Sequence, residues 1–374
     1  MQIIWEGNWI APNGHATVTR NMTRALLRQG LEVKLRTTEM PPPEHYSEFI
    51  QKDFLRMMAR PYQKQSARIR IMHRIPTDFR KTQDLLSVGL TYSESTHIHP
   101  DWASYVNDTV DALIVANTQS QTAFEAAGVT KPIWVVPHGV NVRVFRPGET
   151  SPQNQLNLPS FRFLSVFEWV PRKGYEILAR AFWEEFSAKE DVCLIIKTRC
   201  FRSSEHPRPA DELRQLKEKL HAVHTAPIYL VDKDLTISQL AALYRSSAAF
   251  VLPTRGESVG LPLLEAAASE LPIITTAWGG PLEFLPPENT YLVHYALTPV
   301  PAAAAQEAKS LNGFWAEPDI TSLRHLMREV YENYSAARER AQRLRQHIVQ
   351  TRSWNACARG LIQYLEQAIG GRLC

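Results

Sequence analysis

Short apolar runs recur along the chain, and each is followed by a polar or glycine-bearing loop and then by a stretch with apolar positions three and four apart. Residues 2–5 form the first run. The stretch 16–29 carries Val18, Met22, Ala25, Leu26 and Gln29 on one helical face, Gly30 ends it, and 31–35 is apolar-periodic again. This predicts strand, loop, helix, strand. Later runs at 112–116, 133–136, 163–167, 192–197, 228–231, 248–252 and 272–275 predict further buried strands, with helices between them such as 119–127, for which Thr118 is the expected cap, and 175–186. Residues 85–90 read as a weak helix or strand. From Ile320 onward the pattern is helical and strongly charged. Alternation of this kind predicts an α/β fold with parallel sheets.

The chain has 374 residues, more than one small core needs and natural for two α/β domains. Pro41, Pro42 and Pro43 predict a surface loop, and 146–159, rich in Pro, Ser, Gln and Asn, predicts an interdomain linker. No period of 20–50 residues marks a repeat protein. A hydrophobic content of 44% with 21% charged residues fits a globular enzyme. The first residues lack a basic leader, and no stretch approaches the ~20 apolar residues of a membrane span. Cys193, Cys200, Cys357 and Cys374 lack metal-ligand spacing and are too few for a disulfide framework. A cytoplasmic location is the expectation, with the inner membrane face as an extension of it.

Charge is uneven although the net is only +4. Between Lys52 and Lys81 nine basic residues (Lys52, Arg56, Arg60, Lys64, Arg68, Arg70, Arg74, Arg80, Lys81) stand against Asp53 and Asp78, a net of +7. A solvated face, a surface for anionic lipid or a lipid-linked acceptor, and a nucleic-acid surface share this signature. No nucleic-acid motif accompanies it. Phe54, Leu55, Met57, Met58 and Ala59 alternate with Arg56 and Arg60, as on a helix lying on an anionic membrane; packing on the domain core is the alternative.

Chemistry concentrates in Thr254-Arg255-Gly256-Glu257-Ser258-Val259-Gly260-Leu261-Pro262-Leu263-Leu264-Glu265. An apolar strand precedes it, and Pro262 stands at a first-turn helix position. A strand, a glycine loop and a helix N-terminus converge backbone N–H groups on an anion. Glu257 and Glu265 beside such a site are suited to accepting hydrogen bonds from hydroxyls. Phosphate together with hydroxyls points to a sugar nucleotide.

This segment resembles the donor-site signature of family 4 retaining glycosyltransferases, which have the GT-B fold. The resemblance implies that Glu257 contacts hydroxyls of the transferred sugar and Glu265 the ribose, with Ser258, Val259, Gly260 and Leu261 at the donor. Two further stretches agree. Pro171-Arg172-Lys173-Gly174 resembles the family's basic motif, whose cation reaches the donor phosphates, and Asp111 to Pro147, with Pro137-His138-Gly139-Val140-Asn141, resembles the end of its N-terminal domain. The loop Pro12-Asn13-Gly14-His15 corresponds to the glycine loop facing the diphosphate, and Gly279-Gly280 to a stretch beneath the donor. A loop residue contacting the donor sugar falls among Glu94, His97 and His99, with Glu94 the first choice, and His138 is a further cleft candidate. Phe167 stands where the family has a second Arg, a departure for which Arg172 is the substitute.

The resemblance implies two Rossmann-like domains facing across a cleft: an acceptor-side domain at 1–148, a nucleotide-sugar domain at 160–353, and a helix at 354–374 returning to the first. The expected activity is retaining, metal-independent transfer of a hexose from a UDP- or GDP-linked sugar to a glycan or lipid-linked acceptor by front-face attack. Lys173, Arg172, Glu257 and Glu94 carry it, with no cofactor and no metal site. The alternatives are a catalytically silent sugar-nucleotide-binding or scaffold protein, and a nucleotide-sugar epimerase of the same fold.

Overall fold

The structure, a computed structural model, describes residues 1–11, 13–37, 52–148, 158–199, 207–305 and 313–373. The three prolines and most of the expected linker lie outside the described residues. The chain divides into two compact units, one of residues 1–139, 309–313 and 351–374 and the other of 140–308 and 314–350.

The first unit runs β1 (Gln2–Glu6), α1 (Gly14–Arg28), β2 (Glu32–Arg36), α2 (Lys52–Ala59), β3 (Arg68–His73), β4 (Leu86–Leu90), α3 (Trp102–Thr109), β5 (Ala112–Val115), α4 (Thr118–Ala126) and β6 (Ile133–Val135). Its sheet has the order β2-β1-β3-β4-β5-β6, and every pairing is parallel. Isoleucine, valine and leucine on successive strands, among them Ile3, Val33, Ile71, Val88 and Leu113, are buried on the sheet, as a parallel sheet covered on both faces requires. Asn117, not Thr118, caps α4: its side chain accepts from the Ser120 N–H at 2.7 Å. Either residue type can cap, and the extended backbone at Asn117 decides it.

The second unit runs β7 (Phe161–Glu168), α5 (Tyr175–Glu185), β8 (Val192–Arg199), α6 (Pro209–Lys219), β9 (Ile228–Val231), α7 (Ile237–Arg245), β10 (Ala249–Leu252), α8 (Leu261–Ala268), β11 (Ile273–Thr276), β12 (Tyr291–Val293), β13 (Tyr295–Pro299), α9 (Ala302–Ala305), β14 (Phe314–Pro318), α10 (Ile320–Glu332) and α11 (Tyr334–Thr351). Its parallel sheet has the order β12-β11-β10-β7-β8-β9, and β13 and β14 form an antiparallel hairpin. In each sheet the strand order reverses once, between β1 and β3 and between β7 and β10. Such switch points open a crevice beyond the carboxyl ends of the strands, where ligands of doubly wound folds bind.

The last helix, α12 (Trp354–Leu373), belongs to the first unit and packs against α1. Tyr364 stacks on Trp134 with ring centroids 5.6 Å apart, and Leu361 and Leu365 are buried. Among the described residues no helix is long and apolar enough to cross a membrane.

Helix α2 shows what the basic, apolar-interleaved stretch does. Phe54 and Met57 are buried, Phe54 lies 5.0 Å from Trp9, and the Arg24 guanidinium sits over its ring at 4.4 Å. Leu55 is 51% exposed and Arg56 and Ala59 are exposed. Two of the five apolar residues therefore serve the core.

Gly139 marks where the chain before β7 meets α12. A methyl group there would lie 2.6 Å from the Trp354 backbone nitrogen and 2.9 Å from the Arg352 carbonyl oxygen. Backbone cannot withdraw as a flexible side chain can, so overpacking applies. Gly139→Ala is expected to destabilise the protein by about 1–3 kcal/mol, read as a lower urea midpoint; an unchanged midpoint would show that α12 does not dock closely.

Candidate active site

The switch point of the second sheet gathers most of the residues that the sequence singles out. Strand β7 ends at Glu168, and Pro171–Lys173 make one 3-10 turn before α5. Strand β10 ends at Leu252, and the loop from Pro253 leads to Gly260, which caps α8 with φ +73°. These two connections touch. Gly174 has φ +67°, and a Cβ there would sit 2.2 Å from the Pro253 carbonyl oxygen. Only glycine meets both demands. The Arg255 N–H donates to the Arg172 carbonyl at 2.7 Å, and the Thr254 hydroxyl donates to the Arg172 and Gly256 carbonyls at 3.2 and 3.1 Å. Arg255 is buried, donates to the Pro171 carbonyl, and forms ion pairs with Glu176 at 2.5 Å and Glu317 at 2.6 Å. Burial opposes its charge, but the two carboxylates outweigh that and hold the guanidinium protonated.

Into this frame project the candidate charges. The Lys173 ammonium donates to the Glu257 carboxylate, and the Arg172 guanidinium approaches the other carboxylate oxygen at 3.8 Å while donating to the Gly256 carbonyl at 2.5 Å. Both neighbouring basic residues therefore reach one carboxylate. Glu257 is buried, and its backbone carbonyl accepts from the Gly280 N–H at 3.1 Å. Gly279, at φ +95°, leads into that contact. Ser258 and Val259 are buried between Glu257 and Gly260, and Leu261 begins α8. The Thr276 hydroxyl donates to the Thr254 carbonyl at 2.6 Å, tying the end of β11 to the same loop.

Glu265 lies one turn into α8. Its side chain accepts from the Tyr244 hydroxyl at 2.9 Å. The residue is half-buried overall, but its carboxyl is enclosed, and burial raises its pKa to about 8, the Tyr244 hydrogen bond opposing. Near neutrality this carboxyl is largely protonated, so it can donate as well as accept.

Phe167, at the place of the missing Arg, is buried against Trp169 with centroids 5.9 Å apart. On β8, opposite Val166, Lys197 is buried and donates to the Thr198 carbonyl at 2.7 Å, and burial lowers its pKa. The sequence reading missed Lys197 because it sits inside an apolar strand run.

The first unit holds the remaining candidates. Asn13 caps α1, its side chain accepting from the Ala16 N–H at 2.9 Å, and Gly14 is the first residue of that helix. His138 is buried, with its Nε2 3.4 Å from the Tyr92 hydroxyl; burial, then His15 and Arg352, push its pKa down to about 3, so it is neutral. Tyr92 also meets His73 Nε2 at 2.7 Å, and His73 Nδ1 meets the Thr19 hydroxyl at 3.0 Å. The ring of His15 lies 5.3 Å from that of His73 and 5.1 Å from that of Tyr92. This chain of side chains at the β1–β3 switch point was not legible beforehand. Glu94 is half-buried in the same loop as Tyr92. His97 is exposed and bonded to the Thr96 hydroxyl at 2.8 Å, and His99 accepts from the Asp101 N–H at 3.3 Å. These two are loop histidines with local partners.

Residues 159–311 match the family model of Glycosyl transferases group 1. This part of the chain is a group 1 glycosyl transferase domain. Across 174 residues the chain is 31% identical to D-inositol 3-phosphate glycosyltransferase of Segniliparus rotundus, which covers 45% of this chain and 37% of that protein. The chain thus spans little more than a third of that relative's length. The sucrose-phosphate synthase of Thermosynechococcus elongatus superposes over 99% of both chains with TM-score 0.71 at 16% identity. The structure of Anabaena HepE in complex with UDP and glucose superposes over 98% of this chain and 100% of that one with TM-score 0.64 at 15% identity. The fold is GT-B, and the glycosyl transferase domain places its two glycine-bearing connections side by side.

The Glu265 carboxyl gives the domain a pH signature. An acid with a raised native pKa keeps its proton in the folded state where the unfolded chain has lost it. Its contribution to stability therefore falls as pH rises from about 4.5 to about 8. Urea unfolding of wild type and Glu265→Gln at pH 5 and pH 8 should show wild type losing ground to the variant at pH 8, by at most about 1.4 kcal/mol per pH unit. A constant difference would mean that the carboxyl is ordinary.

Proposed function

We propose that the protein is a retaining glycosyltransferase, which moves a hexose from a UDP- or GDP-linked sugar to a glycan or lipid-linked acceptor. The observation that carries this reading is the meeting of Lys173, Arg172 and Glu257 at a switch point beside the N-terminus of α8. A departing nucleoside diphosphate develops negative charge, and cations and helix N-termini stabilise it. Lys173, Arg172 and the first turn of α8 supply these. Glu257 accepts hydrogen bonds from the transferred sugar, and Glu265 exchanges hydrogen bonds with the ribose hydroxyls. HepE, crystallised with UDP and glucose, supports a uridine nucleotide as the first donor to try.

The reaction runs by front-face attack, with the leaving phosphate taking the acceptor proton, so the protein supplies positioning and charge rather than a nucleophile. No metal is assigned to the diphosphate. Phe54 and Met57 of α2 pack inward and leave fewer apolar side chains to dock on an anionic membrane.

The direct test is transfer, or slow hydrolysis, of UDP- and GDP-sugars by the purified chain. Glu257→Ala should abolish either signal, whereas a silent scaffold has none to lose, and an epimerase returns an altered nucleotide sugar. Activity should survive EDTA; complete loss restored by Mg²⁺ would overturn the assignment of the diphosphate to cations and amides.

Lys173→Ala should act on turnover more than on ground-state binding, costing about 2.7–4 kcal/mol of barrier. Near-normal kcat would transfer the role to Arg172.

A further inference from the structure

Four residues of the basic stretch, Arg68, Arg70, Arg74 and Arg80, gather on Glu6 and Asp84 near the switch point of the first sheet. Glu6, the last residue of β1, is fully buried, and four arginines converge on its carboxylate. Arg36 ends β2 and approaches at 3.4 Å, Arg74 follows β3 and also approaches at 3.4 Å, Arg80 donates to both oxygens at 2.7 and 2.6 Å, and Arg70 pairs with Glu6 from β3. Arg70 is shared with Asp84, which also holds Arg68. Asp78 is the further carboxylate that acts on Arg74. Five guanidiniums thus face three carboxylates.

The excess is badly satisfied. Arginine carries five N–H donors in a fixed fork. Arg36 and Arg74 each place a single long contact on Glu6, and the buried Nε of Arg74 has no partner. Burial, and after it the neighbouring Arg80 and Arg36, disfavour the charge on Arg74 despite Glu6. Fold stability alone does not call for this arrangement, since one carboxylate would be matched by one or two arginines. The side chains of Arg36 and Arg80 remain 53% and 41% exposed, so a ligand from solvent can reach them. Glu6, Arg36 and Arg74 stand at the carboxyl ends of β1, β2 and β3, beside the order reversal where doubly wound sheets bind ligands.

We propose that Arg36, Arg74 and Arg80 bind a phosphate monoester, and that this phosphate belongs to the acceptor. Three forks around a compact dianion satisfy donors that Glu6 leaves idle, and guanidinium matches phosphate in geometry as well as charge. Glu6 then acts as the positioning residue that holds the forks in place. The word acceptor rests on the glycosyl-transfer reading; the phosphate site itself does not.

The test is calorimetric titration of the full chain with inorganic phosphate at constant ionic strength, with acetate as control. Wild type should bind phosphate, and acetate much more weakly. Arg36→Gln with Arg80→Gln should weaken phosphate binding about ten-fold or more, whereas Lys173→Gln should leave this binding in place. Arg36→Gln alone, at the more exposed position, should show a smaller loss in the same direction, and unfolding curves verify that each variant folds. Glucose 6-phosphate and vesicles carrying phosphatidic acid present the same group from a soluble and a membrane source, and arginine-dependent binding of either supports the proposal. No phosphate binding by wild type, equal binding of acetate, or binding unchanged in the double variant overturns it. Titration of UDP and GDP with the same variants separates the readings: failure to bind a nucleotide sinks the proposed function and leaves the arginine site standing.

Discussion

The candidate site depends on one close approach, that of Gly174 to the carbonyl of Pro253. It presses the turn after β7 against the loop after β10, and the hydrogen bonds from Arg255 and Thr254 to the Arg172 carbonyl close the join. Without it Lys173 and Glu257, separated by 84 positions in the chain, would have no reason to meet. Any larger residue at 174 would strike backbone and adopt a strained φ. The join also explains the burial of Arg255. Its charge is matched by Glu176 and Glu317 from two other elements, so the loop that carries Glu257 is anchored on both sides.

The two sheets use their switch points for opposite balances of charge. In the second unit two cations stand over one carboxylate within hydrogen-bonding or near-contact range. In the first unit the arginines outnumber their carboxylates, and Thr19, His73, Tyr92 and His138 form a hydrogen-bonded chain. Burial pushes His138 to about 3 and so keeps this histidine uncharged at physiological pH.

What the sequence made legible follows the range of the interactions. Glycine, proline and charged residues that act within a dozen positions, such as Glu257, Gly260, Pro262 and Glu265, announce their loop and helix directly, and so do Lys173 and Gly174. Strand β3 escaped because Arg68 and Arg70 break its apolar run; their charges are tolerated only because Asp84 and Glu6 meet them in the fold. The hairpin of β13 and β14 escaped because its strands carry exposed residues such as Tyr295, Leu297 and Phe314. The arginine cluster joins residues 30 to 74 positions apart, and a net charge of +7 over a stretch says nothing about which carboxylate lies underneath. Likewise nothing in Glu265 alone shows that Tyr244 encloses it.

On the proposed function, the joined connections after β7 and β10 bind a nucleoside diphosphate. Hydrogen exchange of the full chain with and without saturating UDP or GDP tests it most directly. Exchange should slow at residues 172–175 and 256–265, where the ligand would meet backbone amides. Protection confined to other segments, or no change with either nucleotide, would contradict it.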